Sequence, residues 1–163
     1  IILEQQVSLA SALSALNQLR KKIGSITPQQ LLLLSDEEMK ACYFSRQKMG
    51  YARHLAEAII QQKIDLEALP LLPDEEVRKK MLALKGIGHW TIDVYLIFVL
   101  QRADVFPLGD LAAVNALKQL KSLPAQASRE QLLEIAAKWR PNRSIATMLL
   151  WHFYLSQRKK ASN

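Results

Sequence analysis

Cysteine is almost absent from these 163 residues: Cys42 stands alone. That excludes an internal disulfide, a thiolate zinc site and a four-cysteine iron–sulfur cluster. A lone thiol of this kind reads as a small core residue in a reducing cytosolic or nuclear compartment. Glycine (5) and proline (6) are sparse, so they act as punctuation between elements, and no low-complexity linker or internal repeat is present. Half of the residues are apolar, yet no apolar run reaches the roughly 20 residues needed to span a bilayer. Ile1-Ile2-Leu3 lacks an initiator methionine and is followed by no cleavable signal pattern, so the expectation is a chain missing an N-terminal portion. Acidic residues are outnumbered, 15 against 22 Lys and Arg, for a net charge of +7 and a pI near 9.6. That balance favours a polyanionic partner without naming one. The length fits one compact domain with a real core.

What is present is helical periodicity. No segment sustains strand alternation, so the predicted class is all-α. A first helix is predicted from about Ile2 to Lys22, with Leu9, Leu13, Leu16 and Leu19 or Arg20 recurring at three-to-four spacing and Gly24 as its stop. Thr27-Pro28 restarts a helix, the threonine as cap and the proline at the first helical position. Ser35-Asp36-Glu37-Glu38 has capping-box form. The 45–62 segment carries Met49, Ala52, Leu55, Ala56 and Ile59 on one face. Further helices are predicted over 74–83, 88–102, 110–120, 128–138 and 143–157, and the basic stretch 158–163 reads as a frayed end.

The sharpest local feature is the two-glycine turn Leu84-Lys85-Gly86-Ile87-Gly88-His89-Trp90-Thr91, set between a basic helix and an apolar one. Two glycines allow a tight turn and a close approach to another molecule. Because the turn feeds a helix N-terminus, the free amides near Gly86 and Gly88 can donate to a phosphate of any sequence. Ile87 sits where it can anchor the turn to a core. Taken alone, G-x-G is equally a plain helix connection.

Downstream, Val105-Phe106-Pro107-Leu108-Gly109-Asp110 is a stiff apolar loop that delivers a carboxylate at a helix start. A helix cap accounts for Asp110 by itself. Its spacing says more, because the about twenty residues after Gly88 hold one helix and a return loop, so both features can face one groove.

In this order, the L-x-G-I-G-x-W-T hairpin, the long apolar helix, the Gly/Pro loop and the Asp resemble the helix-hairpin-helix DNA glycosylases. Glu4-Gln5-Gln6-Val7-Ser8 resembles the family's I-x-x-Q-Q-x-S opening. Trp139-Arg140-Pro141-Asn142-Arg143-Ser144 with Trp151 resembles the ending of its 3-methyladenine (alkylbase) branch. The resemblance runs from about Ile2 to Trp151. It implies a fold of two helical lobes flanking a DNA-binding cleft, one glycosylase region over 1–163 and the hairpin at about 82–92. It also implies a monomeric enzyme acting on double-stranded DNA with damaged bases, in the nucleoid of a bacterium or the nucleus of a eukaryote.

By that resemblance Asp110 is catalytic, and Trp90, Trp151 and, more weakly, Tyr95 line the pocket for an everted base. Each tryptophan taken alone reads as core. Gln6, Lys85, Gly86, Ile87, Gly88, His89, Thr91, Arg143 and Ser144 are expected at the DNA, with Gln6 in the region from which relatives fill the gap left by the flipped base. No cofactor is required; a sodium or potassium ion on the carbonyls of Leu82, Leu84 and Ile87 is implied by related hairpins. Trp90 occupies the position at which strand-nicking members carry a lysine nucleophile, which implies a monofunctional hydrolase of alkylated purines. Ile92 and Leu108-Gly109 depart from the family pattern, and its β-rich N-terminal subdomain has no counterpart. A non-catalytic helix-hairpin-helix DNA-binding protein, a glycosylase for another damaged base, a lyase using another amine and a helical interaction domain stay open at this point.

Overall fold

A computed structural model describes residues 1–161. Among these residues there are nine α-helices and two short 3-10 turns, and no strand, as the periodicity predicts. No described helix is long and apolar enough to cross a membrane. The chain divides into two compact units, Ile1–Thr91 and Ile92–Asn163. The boundary falls within the helix His89–Phe98 and within the predicted hairpin segment.

The first unit holds α1 (Leu9–Ile23), α2 (Pro28–Leu33), α3 (Asp36–Ala41), α4 (Arg46–Ile60), α5 (Asp74–Leu82) and the first turn of α6 (His89–Phe98). Several of its helix starts are written in side chains three residues apart. Thr27 Oγ1 accepts from the Gln30 amide at 3.2 Å with Pro28 at the first position. Ser35 and Glu38 form the predicted reciprocal box, and Ser45 caps α4 through the Lys48 amide. Each such cap contributes about 1 kcal/mol. Leu19, Leu31, Met39, Cys42, Phe44, Met49, Ala52 and Ala56 form the core of this unit, so Cys42 is the core residue expected.

The first helix differs from its prediction. A 3-10 turn at Ile2–Glu4 is separated from α1 by a break at Gln5–Val7, with Gln6 at φ 57°. Ser8 causes the restart, its Oγ accepting the Ser11 amide at 3.2 Å. The buried stripe is also rotated: Ala12, Ala15 and Leu19 face inward, while Leu9 and Leu13 are 74% and 56% exposed. Small side chains let the α1 backbone approach its neighbours closely, a choice that a list of leucines at helical spacing cannot reveal.

The second unit contains the rest of α6, then α7 (Leu111–Leu120), α8 (Arg129–Ala137) and α9 (Arg143–Ala161). α7 packs on α9, and Phe106, Ala113, Val114, Ala116, Leu117, Leu132, Ala136 and Leu150 fill the space between these elements. Fully burying a side chain of the size of Leu117 or Phe106 contributes about 1.5–3 kcal/mol. α6 ends at Phe98, four residues short of the prediction. The Val99 and Leu100 amides fold back on the Tyr95 carbonyl and Gln101 takes φ 53°, so no glycine marks the stop. α9 continues through the basic stretch to Ala161; Ser162 and Asn163, the end of the predicted frayed tail, lie outside the described residues.

Candidate active site

The hairpin is built within the first unit. α5 ends at Leu82, the Leu84 amide bonds the Met81 carbonyl at 3.0 Å, and the Ile87 amide bonds the Leu84 carbonyl at 3.2 Å. Leu84 and Ile87 are buried, 7% and 8% exposed, so two apolar anchors hold the turn. The glycines are not equivalent. Gly86 sits at φ 83°, and a Cβ there would collide with the Tyr51 ring. Gly88 has no positive φ, and a Cβ there would meet no other atom within 4 Å. Of the two hairpin glycines, the fold of the free protein therefore requires only Gly86.

Gln5, the neighbour of the predicted Gln6, is the residue that clamps the turn. Its amide donates to the Gly86 carbonyl at 2.9 Å and to Thr91 Oγ1 at 3.3 Å. Lys48 donates to the Leu3 carbonyl at 2.7 Å and so pins the preceding turn to α4, and burial holds its ammonium below the ordinary lysine range. These contacts leave Gln6, at its left-handed tip, exposed together with Lys85, Gly88 and His89. Thr91 is 4% exposed and turned inward to Gln5. Trp90 is half-buried and lines a recess of about 590 Å³ with Gln5, Gln6, Tyr43, Gln47 and Tyr51. Neither Gln5 nor Tyr51 stands out in the sequence as a site residue. The doubled glutamine could have pointed to Gln5, whereas nothing local marks Tyr51.

In the second unit Asp110 is 8% exposed and caps α7. A tight turn, the Asp110 amide on the Pro107 carbonyl at 2.8 Å, sets its backbone. Its Oδ1 accepts from the Ala113 amide at 2.8 Å and from the Trp151 indole N–H at 2.9 Å. The cap and the functional reading are therefore not exclusive: the capping bond needs only the first donor, and the second arrives from α9. The Trp151 ring is stacked on Phe98, with centroids 5.4 Å apart and planes 13° from parallel. Phe98 is 56% exposed, and in the sequence it is only one apolar residue among many at the end of α6. Tyr95 is half-buried, and desolvation pushes its phenol above the ordinary range.

Arg143 and Ser144 turn inward. Arg143 Nε and Nη2 donate to the Asp104 carboxylate at 2.6 and 3.0 Å, and Nη2 also donates to the Asp104 carbonyl. Ser144, 3% exposed, donates to the Arg102 carbonyl at 2.6 Å and accepts from the Val105 amide. Their side chains hold the start of the loop that delivers Asp110. Hydrogen bonding from Arg143, above all, holds the Asp104 carboxyl below the ordinary aspartate range. A lowered folded value stabilises the protein above the ordinary range near pH 3.9. That contribution is lost as pH falls through the folded value. Asp104→Asn is expected to cost about 1.5–3 kcal/mol at pH 7, read from urea unfolding, and to converge with the wild type in acid. A constant difference down to pH 2 would refute the ion pair as its source.

The sequence profile of the HhH-GPD superfamily of base excision DNA repair proteins matches residues 1–142. The chain belongs to that superfamily. It is 35% identical over 126 residues to DNA-3-methyladenine glycosylase 1 of Schizosaccharomyces pombe, covering 77% of this chain and 55% of that protein. A solved 3-methyladenine DNA glycosylase of Schizosaccharomyces pombe, in complex with abasic DNA, superposes with a TM-score of 0.82 at 31% identity, over 92% of this chain and 75% of that one. A DNA-3-methyladenine glycosidase from Bacillus halodurans gives the same TM-score at 29% identity, over 94% and 71%. The chain thus spans about half the length of the curated relatives it matches. The two-glycine hairpin and the capped aspartate are the features of this HhH-GPD chain whose order and spacing carry the family resemblance.

Proposed function

We propose that this HhH-GPD chain carries the chemistry of a monofunctional DNA glycosylase that hydrolyses the N-glycosidic bond of alkylated purines, of the 3-methyladenine and 7-methylguanine type. The observation that carries the reading is the buried Asp110 carboxylate, fixed by two donors beside the stacked Phe98–Trp151 pair. Relatives named as 3-methyladenine DNA glycosylases support the substrate class.

A base inside a duplex is out of reach, so the nucleotide must leave the stack. The backbone amides and Lys85 at the hairpin grip the DNA backbone without reading sequence, and Gln6, exposed in the break before α1 with its backbone left-handed, is suited to fill the vacated space. An alkylated purine is cationic, and indole and phenyl faces such as those of Trp151, Phe98 and Trp90 attract a cation. As the C1′–N bond breaks, its electron pair passes to the base, which leaves neutral, and positive charge builds on the deoxyribose. Asp110 stabilises that charge electrostatically and orients the water whose oxygen bonds C1′; the water's proton is lost to Asp110 or to solvent. Trp90 offers no amine where a lyase needs one, so the product is an abasic site in an intact strand.

A monovalent cation on the carbonyls of Leu82, Leu84 and Ile87 is compatible with this hairpin. The Leu84 carbonyl already accepts one amide, but a carbonyl has two lone pairs. Such an ion would add positive charge beside a DNA phosphate. The reading extends to a monomer acting on duplex DNA in the nucleoid or nucleus.

The test is incubation with methylated duplex DNA. Released 3-methyladenine and 7-methylguanine with an uncut strand, and no borohydride-trapped adduct, are expected. A trapped adduct would establish a lyase, and DNA binding without release of any methylated base would establish a non-catalytic protein or another lesion.

A further inference from the structure

We propose that Trp151 is a positioning residue for Asp110, holding the carboxylate through its indole N–H as well as offering a stacking face. The inference rests on the glycosylase reading and goes beyond it, since that reading gives Trp151 no part in the reaction except as a stacking face.

Two donors converge on the same Asp110 oxygen from different helices, the Ala113 amide within α7 and the Trp151 indole from α9. A capping aspartate with only its amide partner can still rotate its carboxylate plane. With the second donor in place, rotation breaks one bond or the other. In these surroundings, with Asp110 8% exposed, a charge-assisted bond of this kind is roughly twice as strong as a neutral one. Trp151 is itself held. Phe98 covers one face at 13° from parallel, and Leu150, its neighbour along α9, is buried in the core with Phe106 and Leu117. The order Phe98, Trp151, Asp110 is thus a mechanical chain. A base that stacks on this aromatic pair is placed in register with the carboxylate, because the ring that receives it also fixes Asp110. Capping alone would be served equally well by Ser or Asn, and stacking alone by a phenyl ring. The indole N–H is the group that neither role needs.

Trp151→Phe keeps an aromatic face against Phe98 and deletes the donor. A lost hydrogen bond to a charged group corresponds to roughly a 10- to 100-fold effect, here expected on the single-turnover release of 7-methylguanine. Affinity for a duplex containing an abasic-site analogue should change less than about threefold on the same argument. On an Asp110→Asn background the same substitution should cost little more, because its effect runs through the carboxylate. An equal further loss on that background would reduce Trp151 to a stacking residue.

A second measurement needs no activity. In a proton–nitrogen correlation spectrum, the indole signal absent from Trp151→Phe identifies Trp151. Asp110→Asn weakens its acceptor and should shift that signal upfield, while the signals of Trp90 and Trp139 stay in place. An unmoved signal overturns the positioning contact even if bases are released. A shifted signal in a protein that releases no base upholds the contact and defeats the glycosylase reading instead. Should Trp151→Phe fail to fold, the Asp110→Asn spectrum still decides, with the Trp151 signal assigned through its backbone.

Discussion

Asp110→Asn is expected to slow single-turnover release of 7-methylguanine by about 100- to 1000-fold while keeping α7 capped, at a stability loss no larger than the roughly 1.5–3 kcal/mol of one hydrogen bond to a charged group. Asparagine is as good a cap as aspartate, and its carbonyl can accept the Ala113 amide that Oδ1 accepts at 2.8 Å. α7 therefore keeps its start. What asparagine lacks is charge. Losing one preorganised electrostatic partner of a transition state costs about 2.7–4 kcal/mol, which is the stated range of rates. Asp110→Ala separates the two roles from the other side, because it removes the cap as well and should add a stability loss of about 1 kcal/mol. Equal release rates from the wild type and Asp110→Asn would sink the mechanism and leave Asp110 a helix cap.

The second large effect is at the hairpin. Gly86→Ala places a side chain at φ 83° and drives its Cβ into the Tyr51 ring. The left-handed backbone costs about 1–2 kcal/mol, and overpacking adds about 1–3 kcal/mol. The turn must then shift, carrying with it the Gly86 carbonyl that Gln5 holds, and duplex affinity should fall at least about tenfold, the equivalent of 1.4 kcal/mol. Tyr51→Ala in the same chain relieves the clash and leaves the backbone strain, so partial recovery of the melting temperature is expected. Gly88→Ala is the informative control. Beyond its chain neighbours nothing lies within 4 Å of its Cβ, so no clash is expected and any stability loss is confined to the poorer cap that alanine makes at the start of α6, about 1 kcal/mol. A loss of DNA affinity in Gly88→Ala larger than that stability loss accounts for would show that DNA itself approaches the backbone there. If Gly86→Ala melts and binds like the wild type, the Tyr51 contact does not shape the turn.

The two glycines show how far the sequence can be read. Both are expected to serve the tight turn, and the pair does mark the place. Yet the demand at Gly86 comes from Tyr51, 35 positions earlier in α4, and no local pattern announces it. Arg143 and Ser144 make the same point. Their motif locates the start of α9, whereas their partners, Asp104, Arg102 and Val105, lie about forty positions upstream. Their side chains hold a loop that the motif itself does not announce.

Asp110 itself is legible from the residues around it: the stiff Phe106-Pro107 approach and a cap bond only three residues long. Its second partner, Trp151, is marked in the sequence for its ring, and its N–H contact 41 positions away is not foreseen there. Phe98 is not foreseen either, because an apolar residue at the end of an apolar helix carries no local signal of exposure.

What the sequence alone determined is therefore what acts within about one helical turn: the all-α class, the caps at Thr27 and Ser35, the stop at Gly24, and the order of hairpin and aspartate. Hydrogen bonds between residues three or four apart depend on residue type and spacing, both of which can be read directly. The tertiary structure decided which face of α1 is buried, which glycine is obligatory, which cations are already paired and which group steadies the Asp110 carboxylate. Each of those depends on how a helix is rotated about its own axis against neighbours distant in the chain, and that rotation is set by the packing of the whole core.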